Sequence, residues 1–271
     1  MLKDLYYNVK LVLNPEDYRK LKEASLTIVG AGSIGRNLLL ALAGSGIGKF
    51  ILIDGDKVER RNIPVGGFKL RDVSSYKVSA VKREVRERFG GRVKVVGIPK
   101  YSFQIDEDYL LTPEVLVVAV DDVWTRQKIN ALRTRVEGKK TVFLGVDGFI
   151  GSYFLVVSGR TPCWDCFYQS WDRGSPTPRE PLKNRKKCPP PAPAHPTPVL
   201  PATVYNLVGV TSSEILKIIL GREGVLQYYA FNVLESWDMR YFLDNPLKKN
   251  PSCPICNKYY SGRDIREYIQ A

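Results

Sequence analysis

The stretch TIVGAGSIGRNLLLALAGSGIGKFILIDGD, residues 27–56, decides the fold. Its apolar start is short and unbroken, as a strand buried on both faces requires. Gly30, Gly32 and Gly35 follow, and Asp54 stands nineteen residues beyond the last of them, at the end of a second apolar run. Glycines at this spacing let a strand turn sharply into a helix and leave backbone N–H groups free for a phosphate. The dipole of the helix behind them favours the same negative charge. An aspartate at the end of the second strand can accept hydrogen bonds from ribose hydroxyls. The pattern predicts an adenine-nucleotide crevice, but both NAD and ATP present ribose and phosphates.

Working outward, strands and helices alternate. YKVSAVKREVRERF reads as a helix, RVKVVGIP as a strand, PEVLVVAVDD as a buried strand and VWTRQKINALRTRVE as a helix. KTVFLGVDGFIGSYFLVV reads as two strands, and the glycines at 44, 46 and 48 close the helix after the glycine loop. Such alternation specifies an α/β fold, a doubly wound, Rossmann-like and mostly parallel sheet. Beyond about residue 160 the character changes. Residues 172–201 hold ten of the eighteen prolines, which excludes a helix or a central strand and predicts a long crossover or lid loop. ATVYNLVGVTSSEILKIILG then reads as a long helix closed by Gly221, and LQYYAFNVLESWDMRYFL as a hairpin-like antiparallel pair.

A chain of 271 residues with 44% apolar residues can bury a substantial core. No uninterrupted apolar run approaches the eighteen or so residues that span a bilayer, and the N-terminus carries no signal-peptide pattern, so the expectation is a cytoplasmic protein without a membrane partner. The net charge of +13 is compatible with nucleic acid, with an acidic protein partner or with a plain charged surface.

The rest of the chain bears on the nucleotide. The only histidine, His195, falls in the proline-rich loop and is read as solvent-facing rather than as the proton-transfer group that a nicotinamide enzyme needs. Lys77 opens a helix where an ammonium can reach phosphates, or is simply a charge on the helix face. Asp121 and Asp122 end an apolar strand, where carboxylates can hold Mg²⁺ beside the crevice, or cap the following helix. Cys163, Cys166, Cys253 and Cys256 form two C-x-x-C pairs, the four thiolates that a closed, structural Zn²⁺ site takes. The fifth cysteine, Cys188, lies beside Lys186 and Lys187, cations that favour its thiolate.

Taken together, these pieces resemble the E1-like activating-enzyme superfamily, the ThiF, MoeB and HesA group. VGAGSIGRN is similar to its glycine loop, LIDGDKVERRNI to its acidic strand end with a following asparagine, and DVSSYKVSA to its lysine-bearing helix start. AVDDVWTRQKINA is similar to its Asp-Asn-x-x-Thr-Arg segment, with Asp122 in place of the Asn and with Arg126. TPCWDCFY and CPIC are similar to its zinc knuckles, and the helix after residue 198 to its crossover helix. The resemblance implies one adenylation domain over residues 1–258, with a nucleotide-binding half at 20–160, a zinc and crossover half at 161–258, and a tail at 259–271. It implies ATP-dependent adenylation of the C-terminal glycine of a ubiquitin-like or sulfur-carrier protein ending in Gly-Gly, by a homodimer using Mg²⁺ and structural Zn²⁺.

By the same resemblance, Gly30, Gly32, Ser33 and Gly35 contact phosphates and Asp54 the ribose. Asn62 and Lys77 hold the phosphates, Asp121 binds Mg²⁺ with Asp122 beside it in the nucleotide site, and Cys188 is a candidate thioester or sulfur-transfer nucleophile. Two arginines of the family pattern are missing: Ile63-Pro64-Val65-Gly66 follows Asn62, and residues 6–10 contain none. Arg36, Arg60, Arg61 or Lys10 is left to replace their charge. The alternatives are a dehydratase of a tRNA-linked carboxylate, a non-catalytic E1-like subunit and, most distantly, an NAD enzyme.

Overall fold

The computed structural model describes residues 4–172, 198–234, 249–251, 253 and 255–256. The apolar runs become strands because inner strands of a parallel sheet must bury both faces. β1 (Ser25–Val29), β2 (Lys49–Ile53), β3 (Lys94–Ile98), β4 (Val115–Val118) and β5 (Lys140–Asp147) pair in parallel in the order β3-β2-β1-β4-β5. β6 (Ile150–Val157) and β7 (Tyr228–Asn232) add an antiparallel edge beyond β5. The strand order reverses direction between β1 and β4, which opens a crevice at their carboxyl ends.

The two-residue period of the strands sorts their side chains onto two cores. Ile28, Leu52 and Val117 join α3 (Ser33–Gly44), α5 (Lys77–Phe89) and α9 (Pro201–Leu220) on one face. Val29, Ile53, Leu116 and Val118 join α6 (Asp108–Leu111), α7 (Val123–Arg133) and α8 (Trp164–Asp172) on the other. α9 starts with Pro201 in its first turn and ends at Gly221, whose φ of +66° is the left-handed cap that glycine adopts without strain. By length and composition α9 is apolar enough to cross a membrane, with a mean hydropathy of 1.2. One segment therefore meets a criterion that uninterrupted apolar runs alone do not detect. Its buried residues, Val204, Leu207 and Ile215 among them, pack into the core with α3 and β6, as those of a core helix do.

Five helices escaped the sequence reading, α1 (Tyr7–Val12), α2 (Pro15–Glu23), α4 (Asn62–Gly66), α6 and α8. The second had a legible start. Asn14 accepts the N–H of Asp17 at 2.8 Å, Pro15 occupies the first turn, and Glu16 and Asp17 face the positive helix end. The proline-rich loop, with Cys188 and His195, lies outside the described residues, as do the second arm of the hairpin-like pair and the C-terminal tail. Where the described chain resumes, Pro198 accepts a hydrogen bond from Gly148 N at 2.7 Å and Val199 bridges Gly148, so the residues leading into α9 lie against the β5–β6 turn.

Arg133, at the end of α7, is buried and forms no ion pair among the described residues. It donates instead to the carbonyls of Leu110, Leu111, Pro113, Glu114 and Lys140 and to Thr141 Oγ1, at 2.7–3.3 Å. One cation thus satisfies the end of α6 and the entries to β4 and β5. Burial pushes its pKa down to about 10, with Glu114 opposing. Arg133→Leu strands these carbonyls and is expected to cost about 3 kcal/mol or more in urea unfolding; a loss within about 0.5 kcal/mol, ordinary for a surface change, rejects this account.

Candidate functional site

The carboxyl edge of the sheet gathers the glycine turn, the acidic ends of β2 and β4, and the start of α5. Gly30 adopts φ +101°, and a Cβ there would lie 2.6 Å from Ala119 O. A Cβ on Gly35 would lie 1.9 Å from Gly30 O, so the helix leaves the strand at a distance only glycine permits. Gly32 differs: space is open beside it, at the cap of α3, where the first-turn N–H groups of Ser33 and its neighbours lack helical partners. The turn therefore presents donors at Gly32 and Ser33, while Gly35 is buried as a packing contact.

Asp54 accepts Ala31 N at 2.6 Å and Asp56 N at 2.7 Å, tying the end of β2 to the glycine turn. Burial raises its pKa, with Lys77 and the Ala31 N–H opposing. Lys77 Nζ lies 2.8 Å from Asp56 Oδ2 with its side chain only 12% exposed, and Tyr101 OH donates to Asp56 Oδ1 at 3.0 Å. Burial works against the Lys77 ammonium, but Asp54, Asp56 and Asp121 outweigh it and its pKa is raised. Burial also opposes the Asp56 carboxylate, yet the Lys77 hydrogen bond and charge hold its pKa below the ordinary value. Sequence reasoning missed Asp56. The signal was the second acid of Asp54-Gly55-Asp56, two residues past the strand-end aspartate that the glycine spacing singles out.

At the end of β4 the two aspartates separate. Asp122 caps α7, accepting Trp124 N at 3.2 Å and Thr125 N at 2.7 Å, so the capping alternative accounts for it. Asp121 is exposed and close enough to Lys77 to support its charge. Arg126, one turn into α7, is buried and donates to Leu144 O. Burial pushes its pKa down to about 10, with Asp121 and Asp122 opposing. Asn62 is the first residue of α4 (Asn62–Gly66), its Oδ1 accepting Glu59 N at 2.9 Å.

Of the cations left to replace the missing arginines, Arg36 is committed elsewhere. It is buried and bidentate to Glu84 at 2.8 and 2.9 Å. Lys10 pairs with Asp4 at 2.6 Å and Arg61 with Glu59 at 2.7 Å. Among the described residues, Arg60 is exposed and carries no ion pair.

The four cysteines meet on the opposite core. Cys163 Sγ lies 3.8 Å from Cys166 Sγ and 3.6 Å from Cys253 Sγ, Cys166 Sγ lies 3.7 Å from Cys256 Sγ, and all four sulfurs fall within 4.8 Å of one another. A tetrahedron of ~2.3 Å Zn–S bonds has sulfur edges of ~3.8 Å, so the set fits Zn²⁺. The separations are far beyond a disulfide bond of ~2.05 Å. Hydrogen bonds from its neighbouring sulfurs and then burial raise the Cys163 thiol, since four crowded sulfurs ionise together only beside a cation. The first pair does not sit in a bare turn, because α8 begins between its two cysteines. Asn130 of α7 grips this junction, accepting Trp164 N at 3.0 Å and donating to Asp165 at 2.8 Å, with Gln127 adding 3.1 Å to the same carboxylate.

Comparison with known proteins agrees with this geometry. The ThiF family model matches residues 6–255. A sulfur carrier protein adenylyltransferase of Thermus thermophilus is 27% identical over 97% of this chain and 94% of its own. A SAMP-activating enzyme E1 of Haloferax volcanii is 27% identical over 91% of this chain and 85% of its own. The crystal structure of E. coli MccB with MccA superposes with a TM-score of 0.70 at 22% identity, covering 93% of this chain and 74% of that one, which establishes the fold.

The acid–lysine cluster has a pH signature. Lys77 has a raised folded-state pKa, so its contribution is full below the ordinary lysine value of about 10.4 and is lost as pH rises through the folded value. Asp56 has a depressed one, so its contribution is full above the ordinary carboxylate value of about 3.9 and is lost as pH falls through the folded value. Asp56→Asn should therefore lower the melting temperature most near neutral pH and least at both extremes. Calorimetric scans across pH check this, and a pH-independent loss rejects the coupling.

Proposed function

Because the chain belongs to the ThiF family, we propose that it is an adenylyltransferase that activates the C-terminal glycine of a small ubiquitin-like or sulfur-carrier protein with ATP. The observation that carries this reading is the convergence of the open glycine-turn N–H groups, Asp54, Lys77 and Asp121 on one carboxyl edge of the sheet. The near full-length likeness to a sulfur carrier protein adenylyltransferase supports it.

In this reading the turn at Gly32 and Ser33 receives phosphate oxygens, Asp54 takes the ribose hydroxyls, and Asn62 and Lys77 hold the phosphate chain. Asp121 is the carboxylate suited to Mg²⁺, which would neutralise phosphate charge when bound. The carrier carboxylate attacks the α-phosphorus, and an oxygen–phosphorus bond forms. The bond from that phosphorus to the bridging oxygen of the β-phosphate breaks, and pyrophosphate leaves with the bonding pair. The product is an acyl-adenylate. Lys77, already held as an ammonium by its acid neighbours, supplies positive charge as negative charge develops on the transferring phosphate. Asp56 releases Lys77 to phosphate when a nucleotide arrives. The four-cysteine cluster holds structural Zn²⁺, with no ligand position left for substrate. We place the protein in the cytoplasm as a homodimer. Leu5, Tyr7, Leu11 and Val12, exposed on and beside α1, supply an apolar surface suited to a second copy.

Carrier-dependent exchange of labelled pyrophosphate into ATP, run against a panel of small Gly-Gly-ending carriers, tests the proposal. Lys77→Ala and Asp121→Ala should each lower exchange by about 100-fold or more; wild-type rates in either variant remove that residue from the site. Exchange that depends on tRNA rather than on any carrier would point to an RNA-linked carboxylate. Elemental analysis should find one zinc per chain, and chelation should lower the melting temperature. Zinc far below one per chain would overturn the metal assignment.

A further inference from the structure

Arg36 has no place in the proposed chemistry, yet it stands one residue past Gly35 with its side chain only 4% exposed. A charge so deep needs partners in every direction, and it has them. Nε and Nη2 donate to the two carboxylate oxygens of Glu84 on α5, at 2.9 and 2.8 Å. Nη1 donates to Gly66 O at the end of α4, at 2.7 Å, and to Asn37 Oδ1 at 2.9 Å. Asn37 Nδ2 in turn donates to Ser33 O, the first residue of α3, at 2.7 Å. The guanidinium carbon lies 5.5 Å from the centre of the Phe68 ring. Gly67 leaves room for it: φ is +70° there, and an added Cβ would fall 2.5 Å from Nη1.

The elements tied together are the three that carry the phosphate-binding groups. α3 carries the glycine turn, α4 begins at Asn62 and is held at Gly66, and α5 begins at Lys77 and is held at Glu84. Lys77 and Glu84 are seven residues apart, two helical turns along one face, so what fixes Glu84 fixes the axis on which Lys77 stands. No other side chain among the described residues bonds to all three helices. With both edges of its guanidinium occupied, Arg36 is not a phosphate ligand.

We infer that Arg36, paired with Glu84, is a positioning residue that sets the distance between the glycine turn, Asn62 and Lys77, and through it the affinity for the triphosphate. The inference rests on the adenylation reading for its ligand, and nucleotide binding separates the two. Removing one partner alone would leave a buried charge and could unfold the chain, whereas replacing both by apolar residues of similar volume is often neutral for stability. The informative variant is therefore Arg36→Met with Glu84→Met, with Arg36→Lys as the milder one, which keeps the charge and loses the two-pronged contact.

ATP affinity is measured directly by calorimetric titration, the KM values for ATP and carrier by pyrophosphate exchange, and folding by the melting temperature. The expected result for the double variant is an ATP dissociation constant and KM raised about 10- to 100-fold, as for ångström-scale misplacement, with carrier KM and melting temperature unchanged. Arg36→Lys should fall between it and the wild type. Wild-type ATP affinity in the folded double variant, or in Arg36→Lys should the double variant fail to fold, overturns the inference while leaving the adenylation reading intact. A wild-type protein that binds no ATP overturns both.

Discussion

The contact between Gly35 and Gly30 sets the geometry on which everything at the sheet edge depends. A methyl group at Gly35 would fall on the Gly30 carbonyl, so α3 leaves β1 closer than any side chain allows. That closeness keeps the cap of α3 over the point where the strand order reverses. The turn is locked from both sides: Gly30 N donates to Ile53 O at 2.8 Å, and Ala119 N donates to Val29 O at 2.8 Å. Asp54 adds a third lock by accepting Ala31 N. Backbone groups of three neighbouring strands thus converge before any ligand is considered, which is the preorganisation that phosphate chemistry uses.

From that turn, two devices extend order across the molecule. On one face, Arg36 joins the helices bearing Ser33, Asn62 and Lys77 through a buried, bidentate ion pair. Its value lies in arrangement more than in stability, because desolvating both charges offsets much of their attraction. On the other face, α7 runs between the carboxyl edge of the sheet and the cysteine cluster. Asp122 caps its start, Asn130 holds the junction between Cys163 and Cys166, and Arg133 fastens its end to three neighbouring elements. The cysteine cluster and the carboxyl edge of the sheet are therefore joined through one helix.

Much of this was legible as local pattern. The doubly wound sheet followed from apolar runs alternating with helical periods, and Gly221 closed α9 where its lack of a side chain predicted. The two C-x-x-C pairs, 90 residues apart, meet at sulfur spacings suited to one metal. Other features were ambiguous because one residue type serves two purposes. Asp121 and Asp122 are adjacent and chemically identical, and only the direction of α7 shows that the second is spent on capping. Asp56 was overlooked because Asp54 alone satisfied the spacing, while the partner that marks Asp56, Lys77, is twenty-one residues away. The first two helices were missed because α1 buries no side chain and α2 is short.

What the sequence determined by itself was what depends on near neighbours along the chain: most strand and helix periods, the glycine turn, the glycine that closes α9 and the spacing within each C-x-x-C pair. What only the tertiary structure decided was the partner of each buried charge. Arg36, Arg126 and Arg133 look alike as letters, and any of them could have served a phosphate. Folding places the first against Glu84, the second beneath Leu144 O and the third among backbone carbonyls. A long cation can reach many partners in an extended chain. Burial removes water from the competition, and which acceptors then surround the guanidinium is set by packing between distant elements, which no local pattern records.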